Sequence, residues 1–302
     1  MGNLFNTLLI NPIINVLVAL YQALTLIHMP YALGFAIIGL TVIIRLILYP
    51  LMHSQLKASK KMQDLAPHLN TLKEKHKGDA KRLQEAQMAL YKEHGVNPLA
   101  GCLPLLIQFP LLIALYNVLG HVVALKPEAV VAYINSIVYF PWLKLTQPWN
   151  TTFFGLPLGQ HPSQLFAAVP LILLIPVITA GLQFIQSKMM VSAPIAPTTA
   201  NPVKKGKGNK KQLVKSADAK AMADKKDDTA DFAKTFQTQS LYIFPIMLGY
   251  LSFSFPIGLS LYWNTFTLFG ILQQYQISGW GGMEGLVSKI RSTNIENRNN
   301  TK

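Results

Sequence analysis

Five stretches of the chain are almost uniformly apolar: residues 31–52, 99–120, 164–186, 240–256 and 258–277. A helix that crosses a bilayer needs about 20 mostly apolar residues. The first three stretches meet that length. The fourth is shorter, and Pro256-Ile257-Gly258 separates it from the fifth, so residues 240–277 read as a tight hairpin of two spans. The pattern predicts an all-α, polytopic membrane protein with a five-transmembrane-helix core at 31–52, 98–120, 164–187, 239–256 and 258–277. Residues 1–30 are harder to place. The part from 4 to 28 is uncharged and long enough to span, yet Asn11, Asn15, Gln22 and Thr25 recur at helical spacing and draw one polar stripe. The expectation is an N-terminal amphipathic helix lying in the outer interface, with a sixth span as the alternative. A secretory signal peptide is disfavoured, because no basic side chain precedes the apolar stretch.

Between the first two spans the period changes. Met62, Leu65, Leu69 and Leu72 step by three or four residues, as do Leu83, Ala86 and Leu90. Lys77-Gly78-Asp79 is a turn signal between them, and Gly95 with Pro98 is a helix stop. Residues 53–97 therefore read as a helical hairpin with modest apolar stripes, able to bury little area and so to move. The segment 188–238 is different. It is rich in Ala, Pro, Thr, Lys, Gly and Asp with few large apolar side chains, a composition that resists forming a core.

Charge gives the topology. The 302-residue chain is 13% charged, against roughly 25% in soluble domains, and carries a net +14. No charged side chain precedes Arg45, and no carboxylate lies in any apolar run. Nine basic residues fall in 51–97, eleven in 188–238 and four beyond 278, against two (Lys126 and Lys144) in 98–187. Loops rich in Lys and Arg stay in the cytoplasm. The hairpin, the lysine-rich loop and the 278–302 tail are thus expected inside, and the 121–163 loop outside. The lone Cys102 rules out a disulfide framework.

Arg45 is the unusual residue. It sits within Leu40-Thr-Val-Ile-Ile-Arg-Leu-Ile-Leu-Tyr-Pro50. A charge near the bilayer centre costs at least about 2.5–3.5 kcal/mol, and no acid in any span can pair with it. Snorkelling to the interface is one outlet; a hydrated cavity inside the bundle is the other. Thr41, one turn earlier on the same face, Gln108 in the second span, and Tyr262, Trp263 and Asn264 in the fifth are candidates to line such a cavity. The seven histidines are scattered at or beyond the span ends, and no acid–base pair, activated nucleophile or metal cluster is legible. Neither an enzyme nor a cofactor is expected. Lys204, Lys205, Lys207, Lys210 and Lys211 lack the spacing of a phosphate loop. They read either as a solvated linker or as an electrostatic contact for RNA or anionic lipid.

Several stretches resemble one family. Thr41-Val-Ile-Ile-Arg45-Leu-Ile-Leu-Tyr-Pro-Leu51 resembles the arginine-bearing first core helix of the YidC/Oxa/Alb membrane protein insertases. Residues 57–97, ending in Met88-Ala-Leu-Tyr-Lys-Glu-His-Gly-Val-Asn-Pro98, look like that family's cytoplasmic hairpin. Gly101-Cys-Leu-Pro-Leu-Leu-Ile-Gln-Phe-Pro110 resembles its next span, and Phe255-Pro-Ile-Gly-Leu-Ser-Leu-Tyr-Trp263 with Ile271-Leu-Gln-Gln274 its last. The resemblance implies a monomeric insertase and chaperone of the bacterial cytoplasmic membrane, working without nucleotide. It also implies a hydrophilic groove, open to the cytoplasm, that receives nascent membrane proteins. The ribosome and the Sec translocon are then candidate partners. Arg45, Thr41, Gln108, Tyr262 and Trp263 fall on groove positions. Against the family pattern, neither the large extracytoplasmic domain nor the lipid-modified Cys of some members is expected from these residues, and the tail has only four basic residues, which puts C-terminal ribosome docking in question. Two rivals stand beside this reading: a small-anion transporter using Arg45, although no internal repeat is found, and a passive ribosome tether built on the lysine loop.

Overall fold

The computed structural model describes residues 2–96, 103–123, 127–190 and 239–300. They form an all-α protein whose only strands are the two-residue pair β1 (Thr152–Phe153) and β2 (Leu156–Pro157), joined antiparallel. After a π-helical stretch at Asn6–Ile10 come α1 (Asn11–Leu26) and α2 (Ala32–Asp64). Two short helices follow, α3 (Ala66–Lys75) and α4 (Ala80–Glu93), then α5 (Leu103–Val123) and α6 (Pro127–Ile137). The chain continues through α7 (Leu174–Met190), α8 (Phe244–Ser254), α9 (Ile257–Ser278) and α10 (Glu284–Asn300). Among the described residues, Asn6–Leu26, Ala32–Ala58 and Pro170–Met190 are long and apolar enough to cross a membrane, and Gln108–Gly120 and Leu241–Ser254 are shorter apolar helices.

Packing orders these helices around α9, which lies against α2 and α7, while α8 packs on α7. The apolar core gathers at the other end of α2. There Ile14, Leu17, Leu33, Ile37, Leu115, Leu119 and Ile134 are almost wholly buried together. Two members of the polar stripe of α1, Asn15 and Gln22, bond to another segment of the protein, while Thr25 is exposed and bonds its own helix. Asn15 Oδ1 accepts from the Tyr139 N–H at 2.7 Å, and its Nδ2 donates to the carbonyls of Asn11 and Ile137. Gln22 Nε2 donates to the Leu143 carbonyl at 3.0 Å. The polarity of Asn15 and Gln22 therefore says nothing about an interfacial position, because both serve the segment after α6.

That segment also builds the start of α9. The first N–H groups of a helix have no intrahelical acceptor. Here Ile257 N donates to Gln160 O at 2.9 Å and Gly258 N to Leu158 O at 2.8 Å. Gly34 on α2 has no side chain because the Phe153 ring of β1 fills the place where one would stand.

The first span differs from expectation at its far end. α2 continues through Pro50 to Asp64, so Met62 stands on α2 rather than on a separate hairpin arm, and its side chain lies outside the described residues. The sequence from Ser54 to Asp64 holds good helix formers and no stop signal, which lets the helix run on. Leu65 is buried at the corner, and Leu69, Leu72, Leu83 and Leu90 are half-buried between α3 and α4. Asp79 caps α4 by accepting from Arg82 N at 3.1 Å. Gly78 (φ +101°) and Gly95 (φ +60°) supply the left-handed turns on either side. The two arms pack on each other, and at their root the His68 and His94 rings stand 6.1 Å apart. The third apolar run begins late: residues 162–165 make one separate turn, and the continuous helix starts at Pro170. Lys204, Lys205, Lys207, Lys210 and Lys211 lie outside the described residues.

Candidate functional site

Arg45 is 4% exposed, although it carries a full charge in an apolar helix. Its guanidinium reaches across to α9. Nη2 donates to the carbonyl of Phe266, and Cζ lies 3.5 Å from the centroid of the Phe266 ring. A cation over an aromatic face gains about 0.5–2 kcal/mol, which offsets part of the desolvation cost but not all of it. Nε and Nη1 are buried without a hydrogen-bond partner among the described residues, and no carboxylate there pairs with this cation.

Gly270 makes this approach feasible. A methyl group at 270 would stand 2.6 Å from Arg45 Nη2 and closer still to Gln186 Nε2 of α7. Two donor-bearing side chains from different helices thus converge over one bare stretch of α9 backbone. Thr41 is fully buried on the Arg45 face of α2, with its hydroxyl spent on its own helix, donating to Ile37 O at 2.7 Å.

One turn before Phe266, Tyr262 is fully buried, and its Oη accepts from Gln108 Nε2 at 3.1 Å. The Tyr262 and Phe266 rings lie 5.7 Å apart. Tyr262, Phe266 and Gly270 therefore form a single ridge of α9, stepping by four, that meets α5 and then Arg45. Trp263 faces another way. Its Nε1 donates to Gln183 Oε1 of α7 at 3.4 Å, and beside it Ser260, Ser252 and Thr179 make a chain of hydroxyls at 3.0 and 3.2 Å. Asn264 is half-buried, its Oδ1 has no partner among the described residues, and it joins neither group.

Polarity continues along the α2–α9 seam toward the hairpin. Gln273 Nε2 donates to Tyr49 O at 3.4 Å, and Lys60 Nζ to Ile277 O at 3.3 Å. Gln55 and Gln274 are buried with side-chain atoms that have no partner among the described residues.

The structure thus brings Arg45, Gln108 and Tyr262 into one connected set and places Trp263 on a neighbouring set. Sequence reasoning missed Phe266, Gly270, Gln183, Gln186 and Gln55. The four-residue stepping of Tyr262, Phe266 and Gly270, and the three-residue stepping of Gln183 and Gln186, were the available signals. Among the described residues no group of three or more His, Cys, Asp or Glu side chains could hold a metal ion.

An all-α bundle with several apolar helices and a buried cation at their junction defines a polytopic membrane protein. Comparison with known proteins is more specific. Residues 24–281 match the family model described as 60Kd inner membrane protein. The chain is 31% identical over 244 residues to the membrane protein insertase YidC of Fusobacterium nucleatum, covering 81% of this chain and 85% of that one. It is 30% identical to the inner membrane protein ALBINO3, chloroplastic, of Arabidopsis thaliana, over 92% of this chain and 54% of the relative. With the YidC of Cupriavidus metallidurans it shares 29% identity, over 81% of this chain but only 32% of the relative. The chain spans about a third of the length of that relative. It belongs to the 60Kd inner membrane protein (YidC/Oxa1/Alb3) family.

Proposed function

We propose that this protein is a membrane protein insertase and chaperone that carries polar segments of nascent inner-membrane proteins into and across the bilayer without hydrolysing nucleotide. The observation that carries the reading is Arg45: a buried cation with two nitrogens that have no acceptor, and no carboxylate beside it, among the described residues. Such a group has unused capacity for an acidic or carbonyl-rich visitor. Arg45, Gln108 and Tyr262, with Thr41 behind Arg45, are the core of a hydrophilic groove that Gln186, Gln274 and Gln55 continue, and Trp263 with Gln183 makes a second polar set beside it; Asn264 joins the groove only if α9 turns its face inward. The 53–97 hairpin, whose short arms α3 and α4 pack chiefly on each other, captures the client at the cytoplasmic mouth. The client's polar tail is drawn toward Arg45, and its apolar part leaves sideways between α5 and α8. Supporting that exit, Phe109, Ile113 and Tyr116 of α5 and Ile246, Met247 and Tyr250 of α8 present large exposed apolar side chains. Burial of the client in lipid supplies the drive, at about 25 cal/mol per Å².

The protein works as a monomer in the bacterial cytoplasmic membrane, with the hairpin, the lysine-rich loop and the C-terminus in the cytoplasm. Partners are the nascent client and the lipid, with the ribosome and the Sec translocon upstream. The test is reconstitution into liposomes with a short single-span client and a protease-protection readout. Protection that requires the protein and falls with Arg45→Ala supports the reading. No protection, together with Arg45-dependent flux of a small anion from the same liposomes, replaces it with transport.

A further inference from the structure

The chain leaves α9 through a tightly constrained turn. Gly279 ends the helix at φ +63°, its N–H returned to Tyr275 O at 2.9 Å. Gly281 follows at φ +50°, and a methyl group there would overlap the carbonyl oxygen of Met189. The turn is thus pressed against the last residues of α7, where Met189 itself is fully buried. α10 therefore starts at the level where two apolar helices, α7 and α9, both end. At that level the exposed rings of Tyr275 and Trp280 meet 4.9 Å apart. Aromatic side chains with one polar end concentrate at this depth of a bilayer.

Beyond this turn α10 packs on little else among the described residues. At about 100° per residue, Leu286, Val287 and Ile290 share one arc over the first two turns of α10, with Met283 in the turn just before it, and Asn294 closes the arc one turn later. Leu286 is 44% exposed and Ile290 62%, so the described residues do not cover the arc. Lys289 lies just outside one edge of the arc and Arg291 just outside the other, with Glu284 on the Arg291 side; all three are exposed. Ser288 and Ser292 occupy the opposite face. An apolar arc edged by cations, on a helix that begins where apolar helices end, is the pattern of a helix lying in the headgroup plane.

We propose that α10 is an interfacial helix, its Leu286–Ile290 face sunk into the bilayer and Lys289 and Arg291 in contact with anionic lipid headgroups. The occupant is the membrane surface rather than a ribosome, because a ribosome contact calls for cations and gives the exposed apolar arc nothing to bury against. The proposal stands apart from the insertase reading and does not depend on which side of the membrane α10 occupies.

The test uses the full chain in a Cys102→Ser background, in nanodiscs of phosphatidylcholine alone or with phosphatidylglycerol. A nitroxide is placed by Ile290→Cys, by Leu286→Cys as a second probe of the same face, or by Ser288→Cys on the opposite face. With phosphatidylglycerol, the probes at 286 and 290 are accessible to oxygen and shielded several-fold from a water-soluble nickel chelate relative to 288. The contrast shrinks without phosphatidylglycerol and in Lys289→Gln/Arg291→Gln. Equal accessibility on both faces overturns the interfacial placement. A contrast unchanged in phosphatidylcholine alone overturns the headgroup contact. Shielding that arises only when ribosomes are added assigns the helix to the ribosome instead.

Discussion

At the scale of single residues, Arg45 is held by an aromatic face and a backbone carbonyl, two partners that leave its charge uncompensated. A partner carboxylate would cancel the field of the guanidinium; Phe266 does not. Arg45→Ala is therefore expected to reduce insertion of clients with acidic tails about tenfold or more, roughly the loss of one charge-assisted hydrogen bond of about 1.5–3 kcal/mol. Clients with neutral tails should lose much less, and equal losses in the protease-protection assay would contradict an electrostatic role. Gly270 is the second such position. Gly270→Ala inserts a methyl group where Arg45 Nη2 and Gln186 Nε2 converge. Overpacking of this kind costs about 1–3 kcal/mol, so thermal unfolding in detergent should shift down. The insertion defect should follow the acidic-tail pattern of Arg45→Ala. Arg45 stands out in the sequence because a lone cation in an apolar run violates the local pattern. Phe266 and Gly270 do not stand out, since Phe and Gly are ordinary residues in an apolar helix. Their importance comes only from lying opposite Arg45.

At the scale of elements, the hairpin is the part with the least to hold it. Its arms bury a few half-exposed leucines, and its caps are local: Asp79 on Arg82 N, with glycines at 78 and 95. Asp79→Ala should cost about 1 kcal/mol of α4 stability, read as faster amide exchange over Ala80–Glu93 with no change in α9. Replacing residues 66–93 by a short linker should leave the bundle folded, as judged by detergent melting, and slow client capture. Unfolding of the bundle would show instead that the hairpin is part of its core. The period of the leucines announced the hairpin. The extension of α2 to Asp64 was not announced, because a continuing helix and a helix that breaks and restarts have the same apolar stepping.

At the scale of the whole molecule, the segment after α6 ties the ends of the helices together. It receives Asn15 and Gln22 from α1 and supplies the carbonyls that satisfy the start of α9. Asn15→Ala would leave the Tyr139 N–H and the Ile137 carbonyl without this partner, a cost of about 1–3 kcal/mol. The expected result is faster exchange over residues 137–145 and a lower melting temperature, with Arg45-dependent insertion retained if α2 and α9 keep their packing. The same contacts explain why the stripe of Asn11, Asn15, Gln22 and Thr25 does not by itself choose between an interfacial helix and a span. Amphipathicity reports that one face of a helix wants polar partners, and it cannot say whether those are water, headgroups or another stretch of backbone.

By itself the sequence determined that the protein is helical, that several helices are apolar enough for a membrane, and that one arginine enters them with no acid for company. Those are properties of composition and of a 3.6-residue period, and both are local. Only the tertiary structure decided what Arg45 touches. Its carbonyl acceptor is 221 residues away along the chain, and Tyr262 is 154 residues from Gln108. Helix period restricts which face of α9 can turn toward α2, but packing chooses among those faces. That choice turns Phe266 and Gly270, silent in the sequence, into the seat of the buried Arg45 guanidinium.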